Sequence, residues 1–235
     1  MTTFRKNGGG HMPPLPSTAD RNVAVSSRGH FNGHVVVGDG SGRGTPLAGG
    51  HPRVVQIEGH LELSWCLCLE ARPDIVDLRE QIAFDWRDSD RPRTHFFDFV
   101  ITRTDGTRVA CMVRPEARVR GKFAAEMGLV ASQARASGFV SDVRLLTDSD
   151  LDPVDLANAK ATHGFRTPEA RADGVAAEVI RAMTGPFALG ELIDRTRLGA
   201  DGFGALLRFL RCHTLALVRH ERISRDALVY KKETV

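Results

Sequence analysis

Phe96-Phe97-Asp98-Phe99-Val100-Ile101, then the turn Asp105-Gly106, then Arg108-Val109-Ala110-Cys111-Met112-Val113-Arg114 and a proline: this run carries the strongest structural signal in the chain. Two apolar segments rich in aromatic and β-branched residues, joined through Asp-Gly, predict an antiparallel hairpin. Pro115 ends its second strand. Within the first strand lies one acid, Asp98, which by itself reads equally as a salt-bridged strand residue and as a metal-ligating carboxylate.

Upstream, Val54-Val55-Gln56-Ile57 predicts a short strand, and Leu61, Trp65, Cys68 and Leu69 recur at helical spacing, predicting a helix over 59–71 ended by Pro73. Residues 75–84 alternate as a half-buried strand, and the polar run 85–93 predicts a loop. Downstream, Phe123, Met127, Val130 and Ala134 predict a helix over 121–136 with Ser137-Gly138 as its stop, and 139–146 a last strand. Strand, helix, three strands, helix, strand is an α/β domain over 53–150, a mixed sheet flanked by helices.

The flanks differ. Residues 1–52, rich in Gly, Ser, His and Pro with only His34-Val35-Val36-Val37 as an apolar run, predict a disordered arm made slightly basic by Arg5, Lys6, Arg21, Arg28 and Arg43. Residues 151–169 predict a polar linker with a helical turn or two near 154–161. In 170–235, apolar sets around Ala176–Met183, Leu189–Ile193 and Phe203–Leu210 predict three short helices, and Leu215-Ala216-Leu217-Val218 with Ala227-Leu228-Val229-Tyr230 a hairpin. That is the order of a small C-terminal winged helix-turn-helix domain. Arg208 and Arg211 are predicted to face outward from its third helix, and Arg219, Arg222, Arg225 and Lys231 to decorate the hairpin, as contacts to the phosphates of double-stranded DNA. Protein docking is the alternative use of such a module.

Composition narrows the classes. With 42% hydrophobic residues in 235, the chain can build real cores. No apolar run is long enough to span a membrane and no secretory signal is read at the N-terminus, so a cytoplasmic protein is expected. Cys66-x-Cys68, Cys111 and Cys212 lack the spacing of a zinc site or a disulfide framework, and the nine histidines show no metal-cluster spacing. A net charge of +3 permits nucleic-acid binding without arguing for it. Gly38 to Gly44 lacks the Lys-Ser/Thr pair of a phosphate-binding loop.

The stretch 58–147 resembles the N-terminal domain of the TnsA family, transposon-end endonucleases that work with a heteromeric transposase. The matching pieces are Leu61-Glu62 with its apolar helix, Pro73-Asp74-Ile75-Val76-Asp77-Leu78-Arg79-Glu80-Gln81, Phe97-Asp98-Phe99-Val100, and the helix ending at Ser137-Gly138 before the strand into Leu146-Thr147. The resemblance implies a PD-(D/E)XK, restriction-endonuclease-like fold, in which an Asp on one strand and an acid and Lys two residues apart on the next hold Mg²⁺ and activate water. It places Glu62 and Asp98 at the acidic metal positions, Met112 where the family has Gln or Glu, and Arg114 where it has the catalytic Lys. Met112 has no hard oxygen and Arg114 stays protonated, so the departure implies weak or absent metal binding and impaired cleavage. Glu116, Arg118 and Lys122 are the candidate rescuers. The expectation is thus a DNA-binding TnsA-like protein acting in transposition or another mobile-element process, with a transposase or other DNA-processing subunit as partner and homo-oligomerisation left open. An active Mg²⁺-dependent endonuclease is the first alternative. A transcriptional regulator or docking module is the second.

Overall fold

The computed structural model describes residues 13–23, 31–38 and 51–232. Strands β1 (Gly33–Val37) and β2 (Arg53–Ile57) pair antiparallel. Helix α1 (His60–Glu70) leads to β3 (Ile75–Asp88), β4 (Arg91–Arg103) and β5 (Arg108–Val113); after a 3-10 turn at Glu116–Arg118 come α2 (Lys122–Ala136) and β6 (Asp142–Leu146). The sheet order is β3-β4-β5-β6, with β3, β4 and β5 antiparallel and β6 parallel to β5. A parallel partner requires a crossover, and α2 is that crossover. The protein is therefore a mixed α/β structure, as the period-2 and period-3.6 segments require.

Two apolar cores sandwich the sheet. Leu78, Phe99, Ile101, Val109 and Cys111 join Val55, Ile57, Cys66 and Leu69 on the α1 side. Val100, Ala110 and Met112 join Met127, Val130 and Ala134 of α2 on the other. Strand β3 changes sides along its length, since Leu78 belongs to the first core whereas Phe84 and Trp86 belong to the second. The change falls at Gln81, whose φ of 51° puts a non-glycine residue in the left-handed region.

Three expectations give way. Residues 85–93 are not a loop: the β3–β4 ladder continues through Asp85↔Thr94 and Trp86↔Arg93 to Asp88↔Arg91. Trp86 is 4% exposed while Asp85, Arg87, Arg91 and Arg93 face solvent, so the polar composition hid a period-2 strand. In the stretch expected as a linker lies α3 (Pro153–Gly164), capped by Asp152, whose carboxylate accepts from the Val154 and Asp155 amides at 2.7 and 2.9 Å. Of the expected arm, 13–23 and 31–38 are part of the fold: Leu15 bridges Arg53 beside β2, and Gly33–Val37 is β1. The remainder of the arm lies outside the described residues.

The C-terminal unit runs α4 (Ala170–Arg181), β7 (Phe187–Ala188), α5 (Leu189–Thr196), α6 (Ala200–Arg211), β8 (Leu215–Leu217), β9 (Leu228–Lys231), with sheet order β7-β9-β8. Its own core centres on Leu189, Leu192, Leu206, Leu207 and Val229. Helix α3 packs against α1 on one side and α6 on the other, which joins the two units. Glu70 at the end of α1 completes the joint, accepting from Arg211 at 2.5 Å and from the Gly38 amide at 2.9 Å, with the His163 ring nitrogen Nδ1 at 2.8 Å. Among the described residues no helix is long and apolar enough to cross a membrane.

Candidate functional site

The first turn of α1 brings Glu62 back over its own start, where its Oε2 accepts from the Glu58 amide at 2.9 Å. That is the reach of a helix-capping glutamate, three positions into the helix. Asp98 comes from β4, one residue beyond the Phe99↔Cys111 pair, the last in the β4–β5 register. There its Oδ2 accepts from the Val113 amide at 2.6 Å, taking the donor that a continuing ladder would have used. The two carboxylates act on each other electrostatically. Burial first, then the Asp98 charge, push the Glu62 carboxyl up to about 7, and burial raises Asp98 to about 6 against the opposing pull of the Val113 amide and Arg21.

Two further groups lie at the site, neither of them selected from the sequence as a site residue. Gln81, fully buried, has its side-chain amide beside Asp98 and pulls that carboxyl downward. Arg21 donates from Nε to Gln81 Oε1 at 2.7 Å and from Nη2 to Glu58 Oε2 at 2.6 Å, and lies 5.2 Å from the Phe96 ring centroid. Gln81 did carry a signal, standing in the Arg79-Glu80-Gln81 element. Arg21 carried none, because a lone arginine in a Gly/Ser-rich stretch has no local pattern to place it.

The second strand of the hairpin does not reach this site with chemistry. Met112 is buried in the α2-side core. Arg114 stacks 4.0 Å from the Phe123 ring centroid and donates to the Arg118 carbonyl at 3.2 Å. Glu116 is held by Ser149 Oγ and its own backbone by Asp148, while Lys122 is exposed at the start of α2, and neither is among the main charges felt by Glu62 or Asp98. Two desolvated carboxylates that repel each other suit a hard divalent cation; among the described residues no lysine is among the main charges acting on them.

The residues expected to meet DNA divide sharply. Arg208 and Arg211 do not face outward: Arg208 pairs with Asp173 at 2.6 Å, and the Arg211 side chain, 3% exposed, is committed to Glu70. Helix α6 has its outer face covered, and at Gly204 an added Cβ would come within 2.8 Å of the Phe165 ring just beyond α3. Arg225 is bound by both Asp194 oxygens at 2.9 and 3.1 Å, and Lys231 donates to the Arg181 carbonyl at 3.4 Å. Arg219 and Arg222 stay exposed on the β8–β9 loop. A second basic run is at hand, since Arg118, Arg120 and Lys122 are exposed immediately after Arg114, on the segment that leaves the Asp98-bound end of β5. Elsewhere, Asp152, Asp155 and His220 bring one ligand atom each within 4.8 Å of one another on the surface. No protein-family model and no curated protein matches the chain.

The raised carboxyls set a pH dependence. Each folded value lies above its ordinary one, so the folded protein binds more protons than the unfolded one between 4.5 and about 7 for Glu62 and between 3.8 and about 6 for Asp98. Their contribution is full below these windows and is lost as pH rises through them. Metal-free Glu62→Gln is expected to gain about 2 kcal/mol over wild type at pH 8 and about none at pH 4, read from urea midpoints at the two pH values. An equal difference at both pH values would refute the desolvated, mutually repelling pair.

Proposed function

We propose that the chain is a DNA-binding protein built on a restriction-endonuclease-like core, with its strand-cleaving chemistry impaired. The order α1-β3-β4-β5-α2-β6, antiparallel then parallel, supports that core, and the α4-β7-α5-α6-β8-β9 unit supports a winged helix behind it. Among such proteins we place it as TnsA-like, acting in transposition or another mobile-element transaction beside a transposase or a DNA-processing subunit.

The observation that carries the proposal is Asp98 held on the Val113 amide at the end of the hairpin, with its charge acting on Glu62, while the segment beyond supplies only Met112 and Arg114. Acids of that placement hold Mg²⁺ in a working nuclease, where the metal lowers the pKa of water and neutralises the developing phosphorane charge. Here Glu62 and Asp98 would hold it. No residue stands ready to orient a nucleophile. Duplex DNA would be held by its backbone on Arg118, Arg120 and Lys122 beside the acids and on Arg219 and Arg222 of the wing loop, because α6 is turned inward. The covered α6 also favours a second reading, in which the C-terminal unit serves as a dock rather than as a reader of DNA.

One set of measurements separates the readings. Anisotropy of labelled duplex DNA in EDTA should show affinity falling steeply with salt, and charge reversal at Arg118, Arg120 and Lys122 should flatten the log–log slope by about 2 to 3. Plasmid with Mg²⁺ or Mn²⁺ should show no nicking beyond that of Asp98→Ala. Nicking that Asp98→Ala abolishes would establish the active endonuclease instead, and absence of DNA binding would favour the dock or regulator.

A further inference from the structure

The first turn of α3 and the β8–β9 loop, which meet across 65 residues of sequence, bring together an imidazole and two carboxylates. His220 Nε2 lies 3.0 Å from Asp155 Oδ1 and 3.5 Å from Asp152 Oδ1, and ligand atoms of all three residues fall within 4.8 Å of one another. Donor atoms held by one first-row divalent ion at about 2.0–2.2 Å stand roughly 2.9–3.6 Å apart, and both nitrogen–oxygen separations fall in that range. A proton satisfies the arrangement less well. An Nε2–H bond has one direction and two carboxylate oxygens compete for it, whereas a cation attracts all three donor atoms at once.

A residue outside the set presents the loop to α3. Asn158, one turn beyond Asp155, donates from Nδ2 to the Glu221 carbonyl at 2.9 Å and accepts at Oδ1 from the Ile223 amide at 2.8 Å. Both ends of one amide are thus spent on the segment that follows His220, while the Asp152 carboxylate is fixed by the Val154 and Asp155 amides that it caps. We propose that Asp152, Asp155 and His220 form a site for a divalent cation of the Zn²⁺ class, which clamps the β8–β9 loop, with its Arg219 and Arg222, to α3. An imidazole nitrogen beside two carboxylates favours such an ion over Mg²⁺ or Ca²⁺, which take oxygen donors. All three side chains are open to solvent, which leaves the other coordination positions to water. The inference stands apart from Glu62 and Asp98 and from DNA binding.

Calorimetric titration of the full chain with Zn²⁺, with Mg²⁺ in excess throughout, tests it. His220→Gln and Asp155→Asn should each weaken the tightest Zn²⁺ equivalent by at least about tenfold. Both side chains are exposed, so the variants keep the fold. Hydrogen exchange adds a local readout that zinc bound elsewhere does not move. Opening of the loop frees the Ile223 amide and the ion together, so Zn²⁺ at about a hundred times its Kd should slow exchange at Ile223 by about a hundredfold in wild type and leave it unchanged in His220→Gln. Wild-type Zn²⁺ affinity in His220→Gln, or Ile223 exchange indifferent to Zn²⁺, overturns the proposal. Duplex binding in EDTA is unaffected by either result, so failure here is distinguishable from failure of the DNA-binding proposal.

Discussion

Glu70→Ala is expected to cost about 3–5 kcal/mol, the largest single effect in the joint between the two units. The carboxylate is wholly buried, and Arg211, His163 and the Gly38 amide all converge on it. Burial alone would raise its pKa, but the His163 hydrogen bond and the Arg211 guanidinium outweigh burial and hold it below the ordinary value. Removing the carboxylate leaves Arg211, with a side chain only 3% exposed, as a charge without a counter-ion in an apolar seam between α1, α3 and α6. A buried pair contributes little net stability over a well-packed apolar one, so Glu70→Leu/Arg211→Met should recover most of the loss. Urea unfolding followed by separate probes checks both statements. Wild type should unfold in one transition and Glu70→Ala with the C-terminal unit released first, while a loss under about 1 kcal/mol would mean that the joint is held by apolar contacts alone.

Glu80→Ala should be nearly as damaging, at about 3 kcal/mol, for a related reason. Glu80 is fully buried and faces Arg53, 3.3 Å away and itself 3% exposed. Arg53 also donates to the Leu78 carbonyl and to Thr18, while Glu80 accepts from Ser17 Oγ, so one network ties β2, β3 and residues 17–18 together. The Ala variant leaves the Arg53 charge with only Asp77, 4.0 Å away, and releases Ser17 in one step. Hydrogen exchange at Val23 and Val54, whose amides are bonded within this network and beside it, should accelerate more than exchange in the C-terminal unit. Uniform acceleration across the chain would show global destabilisation only. Arg79, the first residue of the same element, is 57% exposed on its Asp77 pair, and Arg79→Ala should change stability by less than about 0.5 kcal/mol.

The Arg79-Glu80-Gln81 element shows how far linear pattern reaches. Its position on an alternating strand was legible because Ile75, Leu78 and Phe84 bracket it with apolar residues. Its three roles, a solvated pair, a buried counter-ion and a buried amide bonded to Arg21, were not, since the chain takes a left-handed residue at Gln81 that no propensity favours. The polar tip of the hairpin was misassigned for a complementary reason. In 85–93 the inward residue Trp86 is outnumbered by charges that only cross-strand pairing shows to be the solvent face. Arg208 and Arg211 looked outward because each helix was placed on its own core. Once α3 lies across α6, the same side chains face a neighbour instead of water.

Local patterning was sufficient for the central run of α1, β3, β4, β5, α2 and β6 and for the mixed α/β class, because hydrophobic period and turn chemistry act over a few neighbouring residues. Which charges end up paired, covered or facing the acids was settled only in three dimensions. Arg21 meets Gln81 across 60 residues and Arg211 meets Glu70 across 141, and a contact closed over such distances leaves no periodic trace in the chain that makes it.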